Sequence, residues 1–399
     1  MTTAAAAPAQ GPASEVFRVF LRLGLTSFGG PLAHLGYFRS EFVERRRWLD
    51  DHAYADLVAL CQFLPGPASS QVGIALGSLR AGWRGALAAW LGFTLPSALL
   101  LIAFGLFLRG SGIAQGAAWL HGLEVVAVAV VAQALWGMGR SLCPDLPRVG
   151  VALIAAALAL RWPGAAMQAG VLALGGLAGS VLKPAAALPP APFALRWRAR
   201  SGLLLLALYA VLLIALPLLA RYTDSQALRL FDAFYRAGAL VFGGGHVVLP
   251  LLQAQTVAPG WVSNDVFLAG YGAAQAVPGP LFTFAAYLGA VSAPAPNGIA
   301  GAAIALVAIF LPAFLLVGGA LPLWQRVRGH PAMQRALPGI NAAVVGVLLA
   351  AFVDPVWVTA MHGPADLLLA AAAFALLVLG KAPPWAVVTG CALAAAAWG

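Results

Sequence analysis

Two proline-glycine runs carry the first chemical signal in this chain. They are Gln62-Phe63-Leu64-Pro65-Gly66-Pro67 and, 213 positions later, Gln275-Ala276-Val277-Pro278-Gly279-Pro280. Two prolines delete two amide donors and clash with the preceding turn, so a helix must break at each run. The residues that follow, Ala68-Ser69-Ser70-Gln71 and Leu281-Phe282-Thr283, are expected to begin new half-helices. Unpaired N–H groups and the positive end of the helix dipole, with the hydroxyls of Ser69, Ser70 and Thr283, would form a cradle for an oxyanion. Gln62 and Gln275, three residues before the first proline, add side-chain donors. The alternative reading is a structural kink.

A second pair of motifs repeats in the same way. Gly29-Gly30-Pro31 and Gly243-Gly244-Gly245 interrupt apolar segments, and glycine lets backbone N–H groups converge on an anion. The alternative is close helix packing through small residues. Arg22 and Arg236 lie six residues before the phenylalanine of each Phe-Gly-Gly. An arginine inside an apolar element is costly, and its fixed charge suits a tetrahedral dianion, unless it snorkels to a nearby interface. His34, His246 and Glu124 are candidates for proton coupling, with simple hydrogen bonding as the alternative. No phosphate-binding loop, no His-Glu-x-x-His helix and no histidine or cysteine cluster with metal-ligand spacing occurs. Neither an enzyme nor a cofactor is therefore expected.

The elements that position these groups are membrane spans. Of 399 residues, 62% are hydrophobic and only 9% charged, with a mean hydropathy of +0.89. A soluble domain carries about 25% charged residues to coat its surface; lipid needs no such coat. The net charge of +10 comes in short basic clusters between apolar runs, which is the pattern of juxtamembrane loops and not of a nucleic-acid-binding stripe. The three cysteines are expected to be packing residues, and no cleavable signal peptide is evident in the Ala/Pro-rich start.

The internal repeat fixes the organisation. Phe17, Phe20, Arg22, Gly24 and Phe28-Gly29-Gly30 recur as Phe231, Phe234, Arg236, Gly238 and Phe242-Gly243-Gly244, and Gly82, Gly85 and Pro96 recur as Gly298, Gly301 and Pro312. The expected fold is all-α. Two homologous six-element repeats, residues 15–182 and 229–399, contain broken or re-entrant helices. A linker at 183–228 with one extra transmembrane helix joins them, and residues 1–14 form a disordered tail. If every element crosses the bilayer, the second repeat is inverted, the plan of many secondary transporters. If both Phe-Gly-Gly elements are re-entrant, the repeats run parallel, and loop charge does not choose between the two.

These motifs resemble the chromate ion transporter family in its long, two-domain form. The likeness rests on Phe20-Leu21-Arg22-Leu23-Gly24, Ser27-Phe28-Gly29-Gly30-Pro31 and the Pro65-Gly66-Pro67 run. In the second half it rests on Gly238, Val241-Phe242-Gly243-Gly244-Gly245-His246, Pro250 and the Pro278-Gly279-Pro280 run. The resemblance implies chromate efflux and chromate resistance, with sulfate as the chemical look-alike, and halves of opposite orientation, which favours spanning Phe-Gly-Gly elements. Gly245 in place of Pro31 and Phe284 in place of Gln71 depart from the first half. Substrate binding is then expected at Arg22, Ser27, Gly29, Gly30, Gln62, Pro65, Gly66, Pro67, Ser69, Ser70, Arg236, Gly243, Gly244, Gln275, Pro278, Gly279, Pro280 and Thr283. The expected setting is the inner membrane. The expected partners are the bilayer, the oxyanion and a coupling proton or counter-anion, and a homodimer is compatible with the sequence.

Overall fold

The computed structural model describes residues 11–28, 30–110, 118–162, 165–179, 199–241, 247–324 and 331–398, and every regular element among them is helical. The first half begins with α1 (Ala13–Thr26), α2 (Gly30–Arg39), α3 (Asp51–Phe63) and α4 (Ala68–Gly110). It continues with α5 (Ala118–Leu142), α6 (Leu146–Arg161) and α7 (Ala165–Gly179). A linking helix, α8 (Ala199–Tyr222), precedes α9 (Gln226–Leu240), α10 (Val248–Thr256), α11 (Asn264–Ala276) and α12 (Phe284–Val291). The last four are α13 (Gly298–Ala320), α14 (Pro331–Ala351), α15 (Pro364–Val378) and α16 (Pro384–Trp398).

The α1 helix forms because Val16, Val19, Phe20, Leu23 and Gly24 recur at helical spacing and are buried, leaving Arg18, Arg22 and Leu25 on the opposite face. It meets α4 through glycine: a Cβ on Gly24 would lie 2.6 Å from the Gly92 carbonyl, and one on Gly92 would lie 2.7 Å from the Phe17 carbonyl. Small residues are what allow two backbones to approach this closely within a membrane. The equivalent helix α9 buries Leu230, Ala233, Phe234, Ala237 and Gly238 on α13. Equivalent N-caps start α3 and α11, where Asp50 accepts from the Ala53 N–H (2.7 Å) and Ser263 from the Val266 N–H (3.4 Å).

The first Phe-Gly-Gly element doubles back and does not span. Phe38 of α2 and Phe42 beyond it pack on Phe20 of α1, with ring centroids 5.5 and 5.0 Å apart. Arg46 then returns to Glu15 at 3.3 Å, and Arg80 joins the same glutamate at 2.9 Å. Of the two paths the sequence left open, spanning, which the resemblance favours, and re-entrant, the first half takes the re-entrant one. Residues 39–51 are highly charged and must stay wet at the end where α1 begins, so α2 has to return to that end. Burial raises the pKa of Glu41 in this layer, but hydrogen bonds from Arg46 and Arg45 outweigh it and hold the carboxyl below the usual carboxylate range. The Pro-Gly-Pro element is re-entrant too. Arg39 pairs with Asp51 at the start of α3 (2.7 Å), and the first stretch of α4 runs from Ser69, beside His34, back to Arg80. There α4 bends at Ala81 and Gly82, whose φ of +61° suits glycine; the equivalent Gly298 has φ +58°.

After the bend α4 crosses the molecule. It leaves the first-half base, and Arg109 near its end donates to the Ala290 carbonyl (3.0 Å) close to the end of α12. Conversely, α13 starts near Leu106 and ends beside the first-half base, where Gly318 packs against Trp83 and the Trp324 indole N–H donates to Asp56 (3.1 Å). The two bases lie at opposite ends, so the halves are antiparallel. Two re-entrant hairpins followed by α4, α5, α6, α7 and α8 give an odd number of crossings, which is why inversion survives although the Phe-Gly-Gly element does not span.

The halves are interlocked as well as inverted. The first half's α5 is covered by α15 and α16, and the second half's α14 by α6 and α7. Gly122 of α5 abuts Cys391 and Ala392 of α16, while Gly175 of α7 abuts Gly339 and Ala343 of α14. On the outside, α8 presents Leu203, Leu204, Val211 and Ile214 with little cover. Together with the long apolar helices α4, α5 and α13, this makes the chain a multi-pass membrane protein.

Candidate functional site

The four hairpin tips meet in the middle of the molecule through a reciprocal pair of backbone hydrogen bonds. The Gly66 N–H of the first Pro-Gly-Pro donates to the Val241 carbonyl (2.7 Å), just before the second half's Phe-Gly-Gly. Its counterpart, the Gly279 N–H, donates to the carbonyl of Ser27 (2.9 Å), just before the first half's Phe-Gly-Gly. Both glycines need positive φ, +128° and +104°. Each half's broken helix is therefore held by the other half's, around a pseudo-two-fold axis.

The polar groups around this crossing are buried. The Ser27 carbonyl also lies 3.2 Å from His34 Nε2, and His34 Nδ1 lies 3.3 Å from Ser69 Oγ. A carbonyl only accepts, so Nε2 carries the ring proton and a singly protonated ring accepts the Ser69 hydroxyl hydrogen at Nδ1. The Gln71 amide donates to the Pro65 carbonyl (2.7 Å) and closes the first tip; at the second tip, where Phe284 replaces Gln71, the Thr283 hydroxyl donates to the Pro280 carbonyl (2.8 Å). The hydroxyls of Ser27 and Ser70, Gln71 Oε1 and the Gln275 amide nitrogen are buried with no hydrogen-bond partner among the described residues. Such groups cost free energy unless something polar meets them.

Beside the tips lies a cavity of about 240 Å³, lined by Gly30, Val130, Gln133, Gln275, Leu377, Lys381, Ala382 and Pro384. At ~30 Å³ per water it holds about eight water volumes, enough for a tetrahedral oxyanion with part of its hydration shell. Its walls combine Gly30 from one half's tip, Gln275 from the other's, the interlocking α5 and the loop between α15 and α16. The described lining offers one ammonium, two carboxamides and no carboxylate. That set of donors favours an anion.

Lys381 was not singled out from the sequence. It sits just past α15, where the Ala382 N–H closes onto the Leu376 carbonyl (2.9 Å), with φ +49° at a position where glycine is usual. A non-glycine residue in this conformation costs on the order of 1–2 kcal/mol; Arg47, with φ +51°, is the other described case. A signal was available: the chain has only two lysines, Lys183 and Lys381, and its other basic residues are all arginine. Gln133 was missed too, because most of the residues that line the cavity with it come from the other half.

The remaining expected residues fall in several places. Arg22 lies on the exposed face of α1 with Arg18, neither carrying an ion pair among the described residues. Gln62 is exposed at the end of α3, away from the cavity that holds its counterpart Gln275. Arg236 is held by Asp232 (2.6 Å) and by Gln255 (3.1 Å), so its charge is already compensated. Glu124 sits near the second-half base with His121, apart from the tips. Pro65, Gly66, Pro67, Pro278, Gly279 and Pro280 all lie in the two crossing tips. Gly29, Gly243, Gly244 and His246 lie outside the described residues.

Comparison with known proteins gives a consistent family. Residues 14–180 and 228–396 match the family described as chromate transporter. A chromate transport protein of Pseudomonas aeruginosa is 29% identical over 363 residues, covering 88% of this chain and 82% of the relative. One of Cupriavidus metallidurans is 27% identical, covering 95% of this chain and 91% of the relative. An uncharacterized transporter of Methanocaldococcus jannaschii is 24% identical over 85% of this chain and 83% of the relative. No solved structure matches.

Proposed function

The chain belongs to the chromate transporter family, and from that premise we propose that it is a secondary carrier exporting chromate across the cell's inner membrane. The observation that carries the reading is the cavity between the halves, where Gly30, Gln275 and Lys381 converge beside tips with unpartnered hydroxyls and amides. A dianion leaving water loses a large hydration free energy, and only a dense set of donors plus a cation can replace it. Lys381 supplies the cation, Gln133 and Gln275 supply amide donors, and the α4 N-terminus with Ser69 and Ser70 lies on the far side of the crossing.

Alternating access follows from the inverted pairing. Each tip is anchored on the other half, so rocking one half moves both breaks together and opens the site to the opposite end. The sequence has no phosphate-binding loop, so direct ATP drive would need another chain and an ion gradient is the proposed drive; among the described residues His34 is the histidine at the tips and a candidate for proton coupling. Sulfate shares the shape and charge of chromate and is the second substrate to test. In proteoliposomes, labelled chromate should move when a pH or voltage gradient is imposed, and excess sulfate should compete. No flux of either anion under either gradient would sink the carrier reading.

Arg22 lies on the exposed face of α1, five residues before Ser27, and its charge is proposed to attract the anion toward the first-half tips. Replacing Arg22 by alanine should abolish chromate exclusion by cells while leaving the protein in the membrane, and should weaken the salt dependence of flux in vesicles. Equal exclusion at equal expression would remove Arg22 from the path.

A further inference from the structure

At the second-half base, away from the tips, α5 and the start of α15 share a cluster that lies outside the oxyanion cavity. His121 Nε2 lies 2.8 Å from Asp366 Oδ1, and His121 Nδ1 lies 3.2 Å from Glu124 Oε2. The His362 ring stacks on that of His121 with centroids 5.1 Å apart and planes 15° apart. Asp366 is fixed in place because its Oδ2 accepts the N–H groups of His362 (2.9 Å) and Gly363 (3.0 Å). One ligand atom from each of His121, His362 and Asp366 lies within 4.8 Å of the others.

We propose that His121, His362 and Asp366 bind a divalent cation, zinc by the chemistry of the donors, that fastens the first half's α5 to the second half's α15. Two imidazoles and a carboxylate are borderline ligands that suit zinc and leave a position for water, whereas magnesium and calcium prefer all-oxygen sites. The surroundings are those of a built site. Glu124 is buried and receives the Nδ1–H of His121, the carboxylate–histidine arrangement that orients a metal-bound imidazole. The acidic surroundings point the same way: Glu124 and Asp366 both bond His121, and Asp265 of α11 lies near Glu124, so carboxyl groups gather where a dication would sit. When it binds, the Nε2 proton of His121 leaves to solvent and the Nδ1 proton stays on the ring, hydrogen-bonded to Glu124. His362 is exposed, so the ion enters directly from water. Positions 121 and 362 are 241 apart in the chain, so no ligand-spacing motif marks the site; inversion of the halves creates it. The site is also distinct from the oxyanion cavity, since Val130 lies nine residues further along α5, about 13 Å at 1.5 Å per residue.

The test uses the full-length protein in detergent, its affinity tag removed and its metal stripped by chelator. Equilibrium dialysis against zinc, read by elemental analysis, should give one ion per chain. Glu124→Gln should weaken binding about 10-fold, and His362→Ala or Asp366→Asn about 100-fold. Zinc should raise the melting temperature of the wild type and leave that of His362→Ala unmoved. His362 is a surface residue, so this variant is expected to melt like the metal-free wild type, which separates loss of the site from loss of the fold. Substoichiometric zinc at saturation, or equal binding by wild type and His362→Ala, would overturn the assignment.

Discussion

A glycine at position 381 is expected to give a more stable protein that barely transports chromate. Lys381 holds φ +49° at the end of α15, where glycine carries no penalty, so Lys381→Gly should relieve about 1 kcal/mol of backbone cost. In a protein of this size that amounts to a melting temperature higher by roughly 1–2 °C. The same change removes the cation from a cavity whose other described donors are neutral. A charged hydrogen bond to a partly buried anion is worth about 1.5–3 kcal/mol, so the chromate concentration for half-maximal flux should rise about 10- to 100-fold at 1.4 kcal/mol per decade. Lys381→Arg keeps the charge and should retain most of the affinity. Paired melting curves and proteoliposome flux read both effects. Wild-type half-saturation in Lys381→Gly would show that the ammonium does not face the substrate. Improved stability with lost transport is the pattern expected where strain is kept for function.

What the sequence made legible follows from locality. The duplicated Pro-Gly-Pro runs marked helix breaks correctly, because proline and glycine act on their own few residues: Gly66 and Gly279 both adopt positive φ. The apolar content of 15–36 did not show whether that element spans, because its path depends on Glu15 meeting Arg46 and Arg80, 31 and 65 residues away. Inversion was reached partly through a different crossing count, since two re-entrant hairpins change the number of crossings in each half by an even amount when taken together. Lys381, Gln133 and the pairing of His121 with Asp366 depend on α5 being wrapped by the other half's α15 and α16, a relation that periodicity within either half does not encode. The first half's richer polarity at the tips was visible in Ser69, Ser70 and Gln71 against Phe282, Thr283 and Phe284.

Alanine at Gly66 or Gly279 should cut chromate flux at least tenfold and lower the melting temperature, and the two variants should differ in whether they can be rescued. At both positions positive φ costs an L-residue about 1–3 kcal/mol, and forcing a methyl into a packed site costs about 1–3 more. The neighbours are unlike. A Cβ on Gly66 would lie 2.6 Å from Gln71 Nε2, the end of a flexible side chain, whereas one on Gly279 would lie 2.9 Å from Ser97 Oγ and 3.1 Å from the Phe93 carbonyl. Gln71 can be trimmed but the α4 backbone cannot move, so Gly66→Ala with Gln71→Ala should recover part of the lost stability, and Ser97→Ala should recover little for Gly279→Ala. Flux should stay low in all four proteins, because the strained tip no longer presents its N–H squarely to the other half, at Val241 in one case and Ser27 in the other. If Gly66→Ala with Gln71→Ala were both stable and fully active, the reciprocal tip contact would be only a packing device. If it were stable and inactive, coupling between the halves would rest on that pair of backbone hydrogen bonds.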